Sequence, residues 1–228
     1  MKIKIIDAVI LAAGSGKRFQ QKIPKQFNKI NGTSLIDIAV LKLSSIKNIR
    51  NIYLAINKSH HKYTKLIKTN PNIIYGGRTR TESVFNALNY LNSQNIPPDN
   101  ILIHDAARPC VHLNDIKKIV SKSNSISNGI SLGFPLTNAL KNINKNMYVM
   151  NNIEKKNLWV SFTPQIFNFK KLYKSYQLIR KLNKQVDDEI EAMSISSFRT
   201  KLLFTSCDNI KITYPNDMIL AKNIMRHI

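Results

Sequence analysis

Leu11-Ala12-Ala13-Gly14-Ser15-Gly16-Lys17-Arg18, continued by Pro24-Lys25-Gln26, follows directly on the apolar run from Asp7 to Ala12. A short apolar run ended by glycines reads as a buried strand leading into a ligand loop. Gly14 and Gly16 are expected to adopt positive φ and to let the backbone approach a ligand closely. Successive backbone N–H groups in such a loop form a concavity that favours anions. Arg18 and Lys25 add fixed positive charge where a polyphosphate would lie, and Pro24 stiffens the approach to Lys25. Two other phosphate loops are excluded. A Walker loop requires a glycine where Leu11 stands and a Ser or Thr where Arg18 stands, and a dinucleotide fingerprint requires a third glycine where Phe19 stands.

Outward from this loop, strands and helices alternate. Ser34 to Ile46 has helical spacing, with Ser34 able to cap it. Asn51 to Ile56 reads as a strand, Ser59 to Lys68 as a lysine-rich helix, and Ile73 to Tyr75 as a strand entering Gly76-Gly77. Val84, Ala87, Leu88 and Leu91 mark one face of a helix from Thr81 to Leu91. Asn100 to His104 and Gly129 to Phe134 are apolar strands on either side of a helix from Leu113 to Ser123. This alternation predicts a mostly parallel twisted sheet flanked by helices. Gly14, Gly77 and Asp105 each follow a predicted strand, so three chemical features fall on the carboxyl edge, where such sheets bind ligands.

After Pro135 the pattern changes. Leu140 to Ile143 and Met147 to Ile153 read as a β-hairpin around Asn144-Lys145-Asn146, within an arm at about residues 137–160. Helices near Asn168 to Leu182 and Asp188 to Ser196, strands at Lys201 to Phe204 and Ile210 to Thr213, and a last helix opened by Pro215 complete the chain. The expectation is one domain over residues 1–228.

Two further segments carry chemistry. Gly76-Gly77-Arg78-Thr79-Arg80 precedes a helix whose first turn holds Ser83, so Gly77 amides and the Ser83 hydroxyl are candidates to read a base edge. His104-Asp105-Ala106-Ala107-Arg108-Pro109 sets an acid beside an arginine after a buried strand. Asp105 can accept from sugar hydroxyls, and Arg108 can grip phosphate in a bidentate manner.

Composition narrows the class. A hydrophobic fraction of 43% in 228 residues excludes a disordered chain. No apolar run approaches the roughly 20 residues that a bilayer span needs. Asp7 falls where a signal peptide would be apolar, so a soluble, cytoplasmic protein is expected. Cys110 and Cys207 stand far apart and imply buried reduced thiols, without a zinc site or disulfide framework. The net charge of +22, from 35 basic and 13 acidic residues, attracts phosphate-bearing partners. The lysines are spread along the chain among many Asn and Ile residues, the pattern of A/T-rich codon drift. A solvated basic surface is therefore expected, and nucleic acid is not the expected partner.

The motifs Ala12-Ala13-Gly14-x-Gly16-x-Arg18, Pro24-Lys25-Gln26, Gly76-Gly77, His104-Asp105-Ala106-Ala107-Arg108-Pro109, Leu158-Trp159, Thr163-Pro164-Gln165, Asp188-Glu189 and Asp208-Asn209-Ile210-Lys211 occur in this order over nearly the whole chain. In this combination the sequence resembles the 2-C-methyl-D-erythritol 4-phosphate cytidylyltransferases of the non-mevalonate isoprenoid pathway. The glycine loop alone would indicate only the wider nucleotidyltransferase superfamily.

The resemblance implies a Rossmann-like nucleotidyltransferase fold and transfer of CMP from CTP to 2-C-methyl-D-erythritol 4-phosphate. It implies that Ala12, Ala13, Gly14 and Gly16 wrap the CTP phosphates, with Arg18, Lys25 and Lys211 as the catalytic cations. It further implies that Gly77 and Ser83 read cytosine, that Asp105 and Ala106 hold the ribose, and that Arg108 and Thr163 lie near the acceptor phosphate. Mg²⁺ would be held mainly by the CTP phosphates, with no protein metal ligand. The similar enzymes are homodimers whose β-arms cross, which makes Lys155 a residue of the partner's acceptor pocket. Three positions depart from the pattern: Arg78 replaces an acidic residue, Ala139 a threonine and Lys155 an arginine. These departures bear on acceptor affinity. Two alternatives stand beside this reading: a cytidylyltransferase for another polyol phosphate such as ribitol 5-phosphate, and a non-catalytic basic module that binds nucleic acid with steep salt dependence.

Overall fold

Ile6–Ala12 forms β1, the strand that delivers the glycine loop. Its residues alternate between two cores: Ala8, Ile10 and Ala12 face one, and Val9 the other. The polar Asp7 is tolerated in this buried strand because Arg50 pairs with it through two hydrogen bonds of 2.9 and 2.6 Å. The computed structural model describes residues 4–125 and 127–228. Met1 to Ile3, part of the N-terminal reading above, lie outside the described residues.

After β1 come two short strands, β2 (Lys29–Ile30) and β3 (Thr33–Ser34), then α1 (Leu35–Ser44), β4 (Ile49–Ile56) and β5 (Asn72–Tyr75). Ser34 caps α1 as its sequence position suggested, accepting from the Asp37 N–H at 3.0 Å. Next are α2 (Arg80–Asn92), β6 (Asn100–Asp105), α3 (Leu113–Lys122) and β7 (Gly129–Pro135). The chain continues through β8 (Leu140–Ile143), β9 (Val149–Ile153), β10 (Trp159–Asn168), α4 (Phe169–Lys181), α5 (Glu189–Ile195), β11 (Thr200–Phe204) and α6 (Asn216–Ile224).

The central sheet runs β11-β7-β10-β6-β1-β4-β5. Every pairing is parallel except those of β10, which is antiparallel to both β6 and β7. Apolar residues of α1 and α3 pack in one cluster with one face of β1, and those of α2, α4 and α5 pack with the other. The expected α/β class with a mostly parallel sheet holds. β8 and β9 pair only with each other, as a separate antiparallel ribbon with an exposed β9.

Several expectations are corrected. The lysine-rich segment forms 3-10 turns over Lys58–Leu66 and buries no residue, so it has no apolar stripe to stabilise an α-helix. Ile210 to Thr213 joins no sheet; it docks on the loop after β6, with the Ile212 N–H donating to the Ala107 carbonyl at 2.8 Å. No strand is expected from the sequence over Trp159–Asn168, and β10 there carries an interior Pro164, unusual for a central strand. The ladder accommodates Thr163-Pro164 by a register shift between Phe162 and Gln165. Trp159 and Val160, assigned above to the arm, already pair with β7. Cys110 is buried as expected, whereas Cys207 is exposed.

Candidate active site

The loops after β1, β5 and β6 leave the same edge of the sheet and surround a cavity of about 340 Å³. Backbone bonds stitch them together: the Ala106 N–H donates to the Leu11 carbonyl at 3.1 Å, and the Gly76 N–H to the Ile56 carbonyl at 2.8 Å. Gly76 permits close approach, since a Cβ there would lie 2.7 Å from Ser83 Oγ and 2.8 Å from Ala13 Cβ.

Ala12, Ala13, Gly14, Gly16, Arg18, Lys25, Gly77, Ser83, Asp105, Ala106 and Lys211 all line this cavity, so eleven of the fourteen sequence-derived site residues converge. Gly16 has the expected positive φ of 67°, which an L side chain would strain. Gly14 is not in that conformation, correcting the expectation; a Cβ on it would meet no protein atom within 4 Å, so it borders open space. Phe19, where a dinucleotide loop would have its third glycine, is 1% exposed and packs with Leu35, Ile38 and Ile212. The loop is thereby anchored in a small core of its own.

Five basic side chains (Arg18, Lys25, Arg78, Arg80 and Lys211) and one carboxylate (Asp105) line the cavity. Lys25 Nζ donates to the Ile212 carbonyl at 2.7 Å, which brings it beside Lys211. Burial, followed by the neighbouring Lys211 charge, lowers the Lys25 ammonium to about 8. Lys211 Nζ in turn lies 2.7 Å from Asp105 Oδ2. Burial alone would raise the Asp105 carboxyl, but Arg80, Lys211 and Arg108 together hold it well below the usual range. Asp105 is therefore an acceptor throughout the neutral range. Burial pushes the adjacent His104 down to about 4, which keeps it neutral.

Gly77 and Ser83 support each other. The Gly77 N–H donates to Ser83 Oγ at 3.0 Å, and that hydroxyl donates to the Thr79 carbonyl at 2.8 Å. Thr79 caps α2, its Oγ1 accepting from the Glu82 N–H at 3.1 Å, and Glu82 Oε2 reaches past the cap to accept from the Arg78 N–H at 2.7 Å. The turn is thus held by hydrogen bonds within the chain.

Arg108 and Thr163 stand behind Asp105 and do not line the cavity. Thr163 Oγ1 accepts from the Asp105 N–H at 3.0 Å, and Arg108 Nη1 donates to the Asn209 carbonyl at 2.7 Å. Lys155 is exposed beyond β9 and donates to the Thr137 carbonyl of its own chain at 2.5 Å.

The sequence reading missed Arg80, Glu189 and Gln26 as site residues. Arg80 lines the cavity and makes two 2.8 Å hydrogen bonds to Glu189, which also accepts from Tyr176 Oη at 3.0 Å. The available signal was the Asp188-Glu189 pair, a motif to which no role had been given. Asp188 caps α5 and accepts from Ser161 Oγ at 2.8 Å.

A glycine loop and a cluster of basic side chains at the carboxyl edge of an α/β sheet form a site suited to a nucleoside triphosphate, as in nucleotidyltransferases. The family model described as IspD, 2-C-methyl-D-erythritol 4-phosphate cytidylyltransferase, matches residues 6–227. The chain belongs to that family. It is 34% identical to the 2-C-methyl-D-erythritol 4-phosphate cytidylyltransferase of Wigglesworthia glossinidia brevipalpis, over 98% of this chain and 96% of that one. It is 33% identical to the protein of the same name from Buchnera aphidicola subsp. Acyrthosiphon pisum, over 97% and 94% of the two chains. The solved Francisella tularensis enzyme of that name superposes with a TM-score of 0.82 at 29% identity, covering 96% of this chain and 99% of that chain.

Proposed function

We infer that the protein transfers CMP from CTP to 2-C-methyl-D-erythritol 4-phosphate, giving 4-diphosphocytidyl-2-C-methyl-D-erythritol and pyrophosphate. The observation that carries the chemistry is the convergence of Lys25 and Lys211, from opposite ends of the chain, beside the glycine loop. An acceptor phosphate oxygen attacks the α-phosphorus, and the bond from that phosphorus to the oxygen bridging to the β-phosphate breaks. The nucleophile is already ionised at neutral pH, so the step needs no general base, which agrees with a neutral, buried His104. Catalysis then consists of positioning and charge neutralisation.

In this reading the loop from Ala12 to Gly16 receives the triphosphate, with Arg18 supporting the departing phosphates. Lys25 and Lys211 neutralise the oxygens around the α-phosphorus. Ser83 and the Gly77 backbone face the base, and Asp105 with Ala106 holds the ribose. A divalent cation such as Mg²⁺ would be held mainly by the CTP phosphates and would supply further charge neutralisation there. Among the described residues the one carboxylate lining the cavity, Asp105, is engaged by Lys211 at 2.7 Å, which suits a cation carried by the substrate. The acceptor phosphate lies on the Lys211 side, which Arg108 and Thr163 back through Asp105. Lys155 on a second copy's β-arm completes that pocket in a homodimer, and the protein works in the cytoplasm.

The test is to incubate the protein with Mg²⁺, each nucleoside triphosphate and a panel of polyol phosphates, and to measure pyrophosphate. Release is expected only with CTP and methylerythritol phosphate. Release with ribitol 5-phosphate instead would change the acceptor; no release, with salt-sensitive nucleic-acid affinity, would sink the enzymatic reading.

A pH dependence follows from Lys25. Its ammonium form binds polyphosphate and its amine form does not. With the free group at about 8, kcat/KM for CTP should fall as pH rises through that value. In Lys25→Arg the guanidinium stays charged, and this alkaline limb should vanish. A wild-type profile flat to pH 10 would contradict the assignment.

A further inference from the structure

Gln26 lies between Lys25 and buried Phe27, and the reaction above gives it no role. It is 2% exposed. Its Nε2 donates to the Ala12 carbonyl at 2.7 Å and to the Gly14 carbonyl at 3.3 Å, and faces His60 Nδ1 at 3.2 Å. His60 comes from the 3-10 segment before β5 and is held edge-on to Phe27 at 6.3 Å. Burial lowers its pKa and favours the neutral ring; in the Nε2–H tautomer Nδ1 accepts, sharing the two Gln26 hydrogens with the carbonyls.

The amide fastens two carbonyls of the glycine loop in the wall of the cavity. Among the described residues, the N–H groups of Ala13, Gly14, Ser15 and Gly16 donate to no protein acceptor in loop or side-chain hydrogen bonds. A loop with its carbonyls tied back and its N–H groups free is preorganised for an anion. Without the tie, the same carbonyls are free to turn toward the cavity and repel phosphate oxygens.

We propose that Gln26 is a positioning residue that holds the glycine loop in its polyphosphate-receiving form, with His60 orienting its amide. This rests on the reading that the loop receives the triphosphate. Gln26 touches no reacting atom; it acts through Ala12 and Gly14.

The experiment separates loop from base. Wild type, Gln26→Met and Gln26→Glu are titrated calorimetrically with inorganic tripolyphosphate and, separately, with cytidine, and their thermal unfolding is recorded. Methionine keeps the volume and removes the donor, whereas glutamate sets a carboxylate against two carbonyls. Losing one buried donor is expected to weaken tripolyphosphate roughly tenfold in Gln26→Met, and more in Gln26→Glu, with cytidine affinity unchanged. In turnover, KM for CTP should rise by more than kcat falls. If Gln26→Glu fails to fold, Gln26→Met still decides the question. Wild-type tripolyphosphate affinity in a folded Gln26→Met would overturn the role of Gln26. So would equal losses of tripolyphosphate and cytidine, the mark of general destabilisation. A wild-type protein that binds cytidine but not tripolyphosphate would overturn the loop reading itself, and this proposal with it.

Discussion

Lys25→Ala is expected to lower kcat for CMP transfer by roughly 10²–10³, the loss associated with removing one preorganised charge at the reacting centre. The site makes this lysine more than a diffuse attractor. Its ammonium is fixed by the Ile212 carbonyl at 2.7 Å and lowered to about 8 by burial and the Lys211 charge. A desolvated cation held in place needs no reorganisation as negative charge crowds around the α-phosphorus. Alanine leaves the Ile212 carbonyl without its donor and the oxyanions without their counter-charge. Single-turnover pyrophosphate release at saturating CTP isolates the chemical step. Turnover within a few-fold of wild type would remove Lys25 from the mechanism, even if KM for CTP rose.

The second large effect is on stability. Glu189→Ala should destabilise the fold by about 3 kcal/mol, because it removes the buried acid that holds the Arg80 guanidinium and leaves only Asp105, at 3.7 Å, to pair with it. Glu189 is fully buried, and Arg80 gives it both of its 2.8 Å hydrogen bonds. Burial would lower the Arg80 pKa, but Glu189 and then Asp105 outweigh it and raise the guanidinium above its ordinary value. Removing the acid therefore weakens the pairing of a cation that cannot shed its proton, and frees the Tyr176 hydroxyl. Urea titration measures the loss. The double variant Arg80→Met/Glu189→Leu should recover most of it, since replacing both charges by apolar groups is nearly neutral. A loss below about 1 kcal/mol in Glu189→Ala would show that the pair is solvated and does not bear on folding.

Much of this architecture was readable because hydrophobic periodicity is a local property. The α2 stripe of Val84, Ala87, Leu88 and Leu91 is buried as its spacing implies. The strands leading into Gly14, Gly77 and Asp105 share an edge, as alternation requires of a parallel sheet. What local pattern cannot carry is the partner of an element. β10 holds a proline, yet it sits between β6 and β7 because the shift at Thr163-Pro164 removes the ladder conflict. Ile210 to Thr213 has the composition of a strand but finds no strand beside it. The same limit explains the site residues that were missed. Arg80 and Glu189 are 109 positions apart, and only the packing of α2 against α4 and α5 brings them together. Gln26 belongs to the Pro24-Lys25-Gln26 motif, but only the fold sets its amide against the Ala12 and Gly14 carbonyls.

The docking of Ile212 on Ala107 has a consequence for synthesis. The glycine loop leaves the ribosome before the strand carrying Asp105, and the Ile212 carbonyl that grips Lys25 follows 187 positions after that lysine. A nascent protein stopped before Lys211 carries the loop but neither the second lysine nor the clamp on the first. The clamp on Lys25 is thus made only after the last strand of the supporting sheet, Thr200–Phe204, has been synthesised.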